Sequence, residues 1–372
     1  MSDKIRVGVL FGGQSGEHEV SLVSARSVIG GLDPAKYSVV QIGITKDGRW
    51  IAGGDAMRQL EALADPKLLP GGPPVGTESQ VPRTDALATH GSAVEASGLA
   101  AGSRSSVLGS VDVVFPVLHG PKGEDGTVQG LLELADAAYV GCGVLASAVG
   151  LDKAMMKAAF AAAGLPLVPW LLVERSAWRR NSAEAVASVE AQLRYPVFVK
   201  PANMGSSVGI TKATDRATLE QGLAEAARYD RRIVVEQGIS AREIEISVLG
   251  NEEVAASVPG EVVPSNEWYD YEAKYLGGES QILIPAPITP ELAEQVRLLA
   301  VRAFKAIDGA GLARVDFLLD KDRHQLYINE VNTMPGFTSV SMYAKRWEAS
   351  GLPYSRLLDR LIELALERHT TT

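Results

Sequence analysis

Two strand-like runs near the C-terminus constrain this chain most: GLARVDFLLD at residues 311–320 and HQLYINEVN at residues 324–332, separated by a short polar turn. Side chains of a strand alternate between faces, so residues i and i+2 share one. Arg314 therefore sits beside Asp316, and Glu330 beside Asn332. Val315, Phe317 and Leu319 make the other face strongly apolar, which confines the polar set to one side. If the two polar faces coincide, one guanidinium and three oxygen ligands converge. Hard oxygen donors of this kind suit Mg²⁺, which is commonly held by one or two carboxylates while nucleotide phosphates complete the octahedron. The competing reading is a surface ion pair between Arg314 and Asp316 with a solvated Glu330. Glycine-containing turns next to the polar strand ends, where backbone can approach a ligand, favour the site.

The 372 residues exceed what one hydrophobic core usually serves, so two or three domains are expected, and an apolar content of 46% supports real cores. There are 45 acidic against 36 basic residues, a net charge of -9, and no Lys/Arg block that could follow a phosphate backbone. Nucleic acid is an unsuitable partner. The N-terminus MSDKIRVGVLFGG enters a strand-like run directly, without the features of a signal peptide, and no window has the run of about 20 apolar residues needed to cross a bilayer. A cytoplasmic protein with no membrane partner is expected. The single cysteine, Cys142, excludes an internal disulfide and a cysteine zinc site, and reads as a small buried hydrophobe.

Along the chain, a strand over 5–11, a Gly-Gly turn, a helix over 21–29 and a strand over 37–45 begin a parallel α/β unit. Residues 55–110, rich in Ala, Gly, Pro and Ser, read as irregular elaboration with one short helix near 56–64. Further strands are expected over 111–120 and in AYVGCGV (138–144), and helices over 126–136 and 152–163. YPVFVKPANMGSSVGITK reads as a β-hairpin around a Gly/Ser loop, because the helix that must follow a Rossmann or Walker loop is missing. RRIVVEQGI and REIEISVLG are two more strands, and residues 353–369 close the chain as an amphipathic helix.

In the loop KPANMGSSVG, Gly205 and Gly209 permit close backbone approach to phosphate oxygens, Ser206 and Ser207 offer hydroxyls, and Lys200 offers a point charge. A Gly/Ser hairpin turn without ligand is the plainer alternative. Lys153, after Asp152 at a helix start, is a second phosphate candidate, although a lone lysine is usually just solvated. In FGGQSGEHEVS the strand and Gly-Gly turn lie where α/β sheets bind ligands, but Glu17 there favours a cationic group such as an ammonium. Glu17 and Glu19 could equally complement a helix dipole. His119 ends the Val111 strand, where either a structural or a functional histidine is common.

Together GGQSGEHEVSL, HGPKGEDGTVQG, GLDK, VKPANMGSSVG, YDYEAKY, ARVDF and NEVNTMPGFTSVSMY resemble, in order and spacing, the D-alanine:D-alanine ligases of the ATP-grasp superfamily. The resemblance spans the chain apart from residues 55–110. It implies an α/β and α+β protein with a three-domain ATP-grasp fold: an N-terminal parallel α/β domain (1–141), a central domain with the Gly/Ser lid (142–236) and a C-terminal domain with the metal and substrate site (237–372). The implied partners are D-alanine and ATP, the implied cofactors two Mg²⁺ (or Mn²⁺), and the implied assembly a homodimer; a monovalent cation is left open.

The resemblance also implies roles. Lys153, Lys200, Ser206, Ser207 and Lys274 would hold ATP phosphates, Glu236, Gln237 and Ile239 would border the adenine, and Glu243 would lie near the ribose. Asp316, Glu330 and Asn332 would hold the metals. Glu17 would take the first D-alanine's ammonium with His119 helping to position it, and Ser206 and Tyr275 would tie the lid and a mobile loop to Glu17. Arg314 and the Gly336 N–H would stabilise an oxyanion, while Ser341 and Met342 would hold the second substrate's carboxylate. Tyr275 implies an amine nucleophile, since relatives that use D-lactate tend to lack it. Another ATP-grasp carboxylate–amine ligase, a depsipeptide-forming variant and a non-catalytic nucleotide-binding module are the alternatives.

Overall fold

In the computed structural model, which describes residues 4–52, 54–65, 107–205, 207–263 and 281–371, the strands gather into three sheets. The first contains β1 (Ile5–Gly12), β2 (Tyr37–Ile44), β3 (Trp50–Ala52) and β4 (Val113–Pro116), in the order β3-β2-β1-β4. β1 is parallel to both β2 and β4, and β3 adds an antiparallel edge. Both faces are covered, which is why the strands read as continuous apolar runs. Leu22, Ala25 and Val28 of helix His18–Gly31 pack on one face beside Leu357, Leu361 and Leu364 of the C-terminal helix Tyr354–Thr371. Each such leucine contributes about 1.5–3 kcal/mol on burial. Val128 and Leu132 cover the other face.

The second sheet is antiparallel, with β5 (Trp170–Glu174), β6 (Val197–Pro201), β7 (Thr211–Ala213) and β8 (Arg232–Gln237) in the order β5-β8-β6-β7. Helices Ser182–Gln192 and Arg216–Tyr229 cover one face of it. β6 and β7 form the hairpin expected around the Gly/Ser loop. The third sheet contains β9 (Ala241–Gly250), β10 (Val254–Ala256), β11 (Gly260–Val263), β12 (Gln281–Leu283), β13 (Gly311–Asp320) and β14 (Leu326–Asn332). Its path is β12-β11-β9-β13-β14, with β10 added to β9. Helices Lys153–Ala162 and Pro290–Ala306 bury one face through Met156, Phe160, Val296 and Phe304 against Ile244, Ile246, Val315 and Phe317. Strand alternation then turns Glu243, Glu245, Arg314 and Asp316 to the opposite face.

Two expectations change. AYVGCGV forms no strand but a single bridge, Val114 to Tyr139, followed by helix Val144–Leu151. Gly141, at φ +103°, breaks the extended run, and Cys142 is buried with its thiol donating to Leu312 O. The strand expected over 111–120 is shorter, ending at Pro116, and His119 and Gly120 beyond it form a wall of the cleft described below. The short helix of the 55–110 segment spans Ala56–Glu61, and residues 66–106 lie outside the described residues. Among the described residues no helix is long and apolar enough to cross a membrane.

Candidate active site

A cleft of about 750 Å³ lies where the three sheets meet. Its floor is the polar face of β9, β13 and β14. Asp316 pairs across the strands with Glu330 on one side and Glu245 on the other, and Arg314 pairs with Asn332 and Ser247 in the next row. Cross-strand partners point to the same face, so three carboxylates stand abreast, about 5 Å from strand to strand. Arg314 donates to both Asp316 oxygens, Nε at 2.7 Å and Nη2 at 2.6 Å, and Asn332 Nδ2 donates to Asp316 Oδ2 at 2.9 Å. The two polar faces therefore coincide. The ion pair of the competing reading exists too, but it is built into the cleft floor and not solvated. Burial, reinforced by Glu245 and Glu330, pushes Asp316 up to about 6 in spite of Arg314.

Asp316, Glu330 and Asn332 present two carboxylates and an amide, an oxygen set that fits a hard divalent ion. Among the described residues no three acidic, histidine or cysteine side chains converge tightly enough to hold an ion by themselves. Glu245 is committed to cations: its Oε2 accepts from Arg346 Nη2 and lies 3.4 Å from Arg314 Nε. An ion on this set would take further oxygens, from water or from a phosphate group, to complete its shell, as suits Mg²⁺.

The hairpin loop forms the roof. Lys153 begins helix Lys153–Ala162, which Asp152 caps by accepting from Met155 N at 3.0 Å, and its Nζ donates to Met204 O in the loop at 2.6 Å. Lys200 lies in β6, and its Nζ donates to Glu236 Oε2 at 2.8 Å. The other oxygen of Glu236 lies 3.0 Å from Lys157 Nζ, itself fully buried. Burial opposes the Glu236 charge, but the two lysines outweigh it and hold its carboxyl at about 2. Ser207, at φ 59°, borders the cleft with Gln237, Ile239 and Glu243. Ser206, Lys274 and Tyr275 lie outside the described residues.

The first sheet closes the third side. Gly12 and Gly13 both have positive φ, and Gly13 N donates to Ile44 O at 2.8 Å, which turns the chain at the strand end. A Cβ on Gly120 would lie 2.7 Å from Glu17 Oε2, and one on Gly205 would lie 3.9 Å from that same oxygen. The carboxylate of Glu17 is therefore sandwiched between the 119–120 turn and the hairpin loop. His119 is buried; its Nδ1 contacts Met334 O at 3.3 Å and its Nε2 contacts Ser24 Oγ at 3.0 Å. Since a carbonyl can only accept, Nδ1 carries a proton. Glu124 Oε1, 3.6 Å from that nitrogen, outweighs burial and raises the His119 pKa.

Between floor and first sheet runs the loop after β14. Gly336 has nothing within 4 Å of a would-be Cβ, so its backbone borders open space. Ser341 precedes helix Met342–Ala349, donates its hydroxyl to Thr338 O at 2.8 Å and does not cap the helix, so the first amides of that helix have no side-chain partner in Ser341. The described residues to which the resemblance gives a role all border this one cleft, whereas Gly209 and Glu19, also named from the sequence, do not. Lys157, Glu245, Glu124 and Arg346 were not singled out. Lys157 was findable, being one helical turn after Lys153, and Glu245 shares a strand face with Glu243; Arg346 carries no such signal.

Comparison with known proteins points to one family. The family models described as D-ala D-ala ligase N-terminus and D-ala D-ala ligase C-terminus match residues 6–142 and 159–363. The D-alanine–D-alanine ligase of Heliobacterium modesticaldum is 52% identical over 371 residues, covering 98% of this chain and 96% of that one. That of Geobacillus thermodenitrificans is 50% identical over 366 residues, with 98% and 96% covered. Among solved structures, the D-alanine-D-alanine ligase from Coxiella burnetii superposes with a TM-score of 0.79 at 36% identity, over 100% of this chain and 96% of that one. The VanG D-Ala:D-Ser ligase of Enterococcus faecalis gives 0.77 at 31% identity, over 98% and 100%. With both ends of the family matched, near-complete coverage at about half identity and a TM-score of 0.79 to a solved ligase, the chain belongs to the D-alanine–D-alanine ligase family and has its ATP-grasp fold.

Proposed function

We propose that this cleft joins two D-alanines into D-alanyl-D-alanine for peptidoglycan, consuming ATP and releasing ADP and phosphate. One observation carries the reading: the acid Glu17, two lysines and a cross-strand carboxylate pair converge in one cleft under a Gly/Ser hairpin. Glu17 holds the first D-alanine's ammonium and His119 supports that end of the cleft, so the substrate carboxylate points towards the phosphates. Lys153 and Lys200, with Ser206, Ser207 and Lys274, hold the triphosphate. Glu236, Gln237 and Ile239 border the adenine, and Glu243 reaches the ribose.

Asp316, Glu330 and Asn332 would hold two Mg²⁺ or Mn²⁺, which neutralise charge on the transferring phosphoryl group. The first D-alanine's carboxylate oxygen attacks the γ-phosphorus of ATP, the bond to ADP breaks, and D-alanyl phosphate results. Met342 N–H and the Ser341 hydroxyl receive the second D-alanine's carboxylate. Its amine, having given up a proton within the Glu17, Ser206 and Tyr275 network, attacks the acyl carbon, and phosphate leaves. Arg314 and Gly336 N–H stabilise the tetrahedral oxyanion, and donors placed this way are worth about 10²- to 10³-fold in rate. The hairpin loop over Glu17 excludes the water that would hydrolyse the acyl phosphate.

In this reading the three sheets are the cores of three domains, the enzyme works as a homodimer in the cytoplasm, and Tyr275 selects an amine nucleophile over a hydroxyl one. Phosphate release and product mass, measured with D-alanine, L-alanine, D-serine and D-lactate at saturating Mg²⁺-ATP, test it. Release and dipeptide with D-alanine alone are expected. No D-alanine-dependent release removes the proposal, and a preference for D-serine or D-lactate as acceptor reassigns the second subsite.

A further inference from the structure

Among the described residues Arg346 is the largest wholly buried side chain, at 0% exposure. It belongs to helix Met342–Ala349, four residues beyond Met342 at the acceptor end of the cleft, and it does not itself border the cleft. Among the described residues its guanidinium has one partner, Glu245 Oε2, which Nη2 contacts, while Nε and Nη1 have no hydrogen-bond partner. That same Glu245 oxygen lies 3.4 Å from Nε of Arg314, whose Nε and Nη2 hold Asp316. Space for Arg346 is made by Gly260, which pairs with Glu245 across β11 and β9 and whose Cβ would fall 2.9 Å from Arg346 Nε.

A buried cation that leaves donors unused is a poor structural staple, because each unmet donor costs free energy and an apolar residue of similar volume is often neutral or better. What the pair does supply is electrical and geometric. Without Arg346, Arg314 is the cation that remains on the floor itself among the described residues for the row Glu245, Asp316 and Glu330, with Lys200 acting on Glu330 from the roof. Arg314 would then be drawn to share its fork between Glu245 and Asp316, away from the geometry that leaves the guanidinium edge facing the acyl carbon.

We propose that Arg346 is a positioning residue for the second half of the reaction: by neutralising Glu245 from below, it keeps Arg314 aligned on Asp316 and aimed at the oxyanion. Because Arg346 and the acceptor-binding N-terminus lie on one short helix, correct seating of that helix and correct placement of Arg314 are linked. The proposal rests on Arg314 being the oxyanion donor.

The test compares Arg346→Met, Arg346→Met/Glu245→Gln and Arg314→Met in full-length protein, with ATP consumption and dipeptide measured in parallel and a thermal melt on each. Arg346→Met is expected to lower dipeptide kcat by about tenfold to hundredfold, as a misplacement near 1 Å does. KM for ATP stays within twofold, and phosphate released exceeds dipeptide formed, since acyl phosphate that waits too long is hydrolysed. The double variant, in which residue 245 no longer carries the charge that would draw Arg314 aside, is expected to melt no lower than wild type and to recover kcat and one phosphate per dipeptide, and it carries the test alone if Arg346→Met does not fold. One phosphate per dipeptide at wild-type kcat in Arg346→Met, or a double variant that folds yet stays slow and uncoupled, overturns the proposal. Arg314→Met separates the two ideas: if it too is coupled and active, the oxyanion assignment has failed; if it alone is inactive, only the role of Arg346 has.

Discussion

Asp316 and Glu330 face each other as a cross-strand pair of β13 and β14, and a register shift follows directly after Asp316. The irregularity lets Arg314, Asp316, Glu330 and Asn332 remain on one face while Phe317 and Ile328 re-enter the core. Two carboxylates so placed repel one another unless a cation sits over them.

Glu330→Gln removes one of those charges while keeping its shape. Turnover is expected to fall by about 10³-fold, the equivalent of about 4 kcal/mol of lost charge stabilisation. The melting temperature should stay within a few degrees of wild type, because the side chain is only partly buried. Phosphate release with D-alanine across a Mg²⁺ titration checks this; near-normal turnover at ordinary Mg²⁺ removes the metal assignment.

Glu236, paired with Lys157 and Lys200 at the edge of the cleft, also bears on stability. Its carboxyl is held at about 2 against 4.5 unperturbed, so its ionised form stabilises the fold at pH values above 4.5 and that contribution is lost as pH falls from 4.5 towards 2. The shift corresponds to about 3 kcal/mol. Urea unfolding of wild type and Glu236→Gln at pH 7, 5, 4 and 3 should show a gap of about 3–5 kcal/mol at neutral pH, since two buried lysines lose their partner, narrowing as pH drops through that window. A gap that does not change with pH would mean that Glu236 acts by packing.

Glu17→Gln replaces the charge proposed to face the substrate ammonium. KM for D-alanine is expected to rise by about 30- to 100-fold, matching the roughly 2–3 kcal/mol of a charged hydrogen bond, with KM for ATP within twofold. Initial rates with each substrate varied in turn distinguish this from general damage, which would raise both.

Gly12→Ala and Gly336→Ala should part company. At Gly12, φ is +92° and a Cβ would lie 2.1 Å from Ile44 O, so the variant is expected to lose about 3 kcal/mol or more and to fold poorly. At Gly336 nothing lies within 4 Å, so the variant should melt like wild type. Its new methyl would face the cleft, and turnover should fall about tenfold. Melting curves beside steady-state rates decide it; a Gly336→Ala variant of wild-type rate would place the acyl centre elsewhere.

Local pattern in the sequence was sufficient for the strand pair, the hairpin roof and the amphipathic closing helix, since each is set by alternation, turn residues or helical spacing within a dozen residues. The same alternation put Arg314 with Asp316 and Glu330 with Asn332. Only tertiary structure decided that the two faces coincide, that Glu245 makes a third carboxylate in the row, and that Arg346 and Lys157 lie buried beneath the site as its counter-charges. AYVGCGV shows the limit from the other side: its apolar run suits a strand, yet the positive φ of Gly141 and the docking of Cys142 against Leu312 end it after one bridge. The physical reason is common to all of these. Which face a residue takes is a property of its own strand, whereas which charges must balance depends on strands and helices that meet only when the chain has folded.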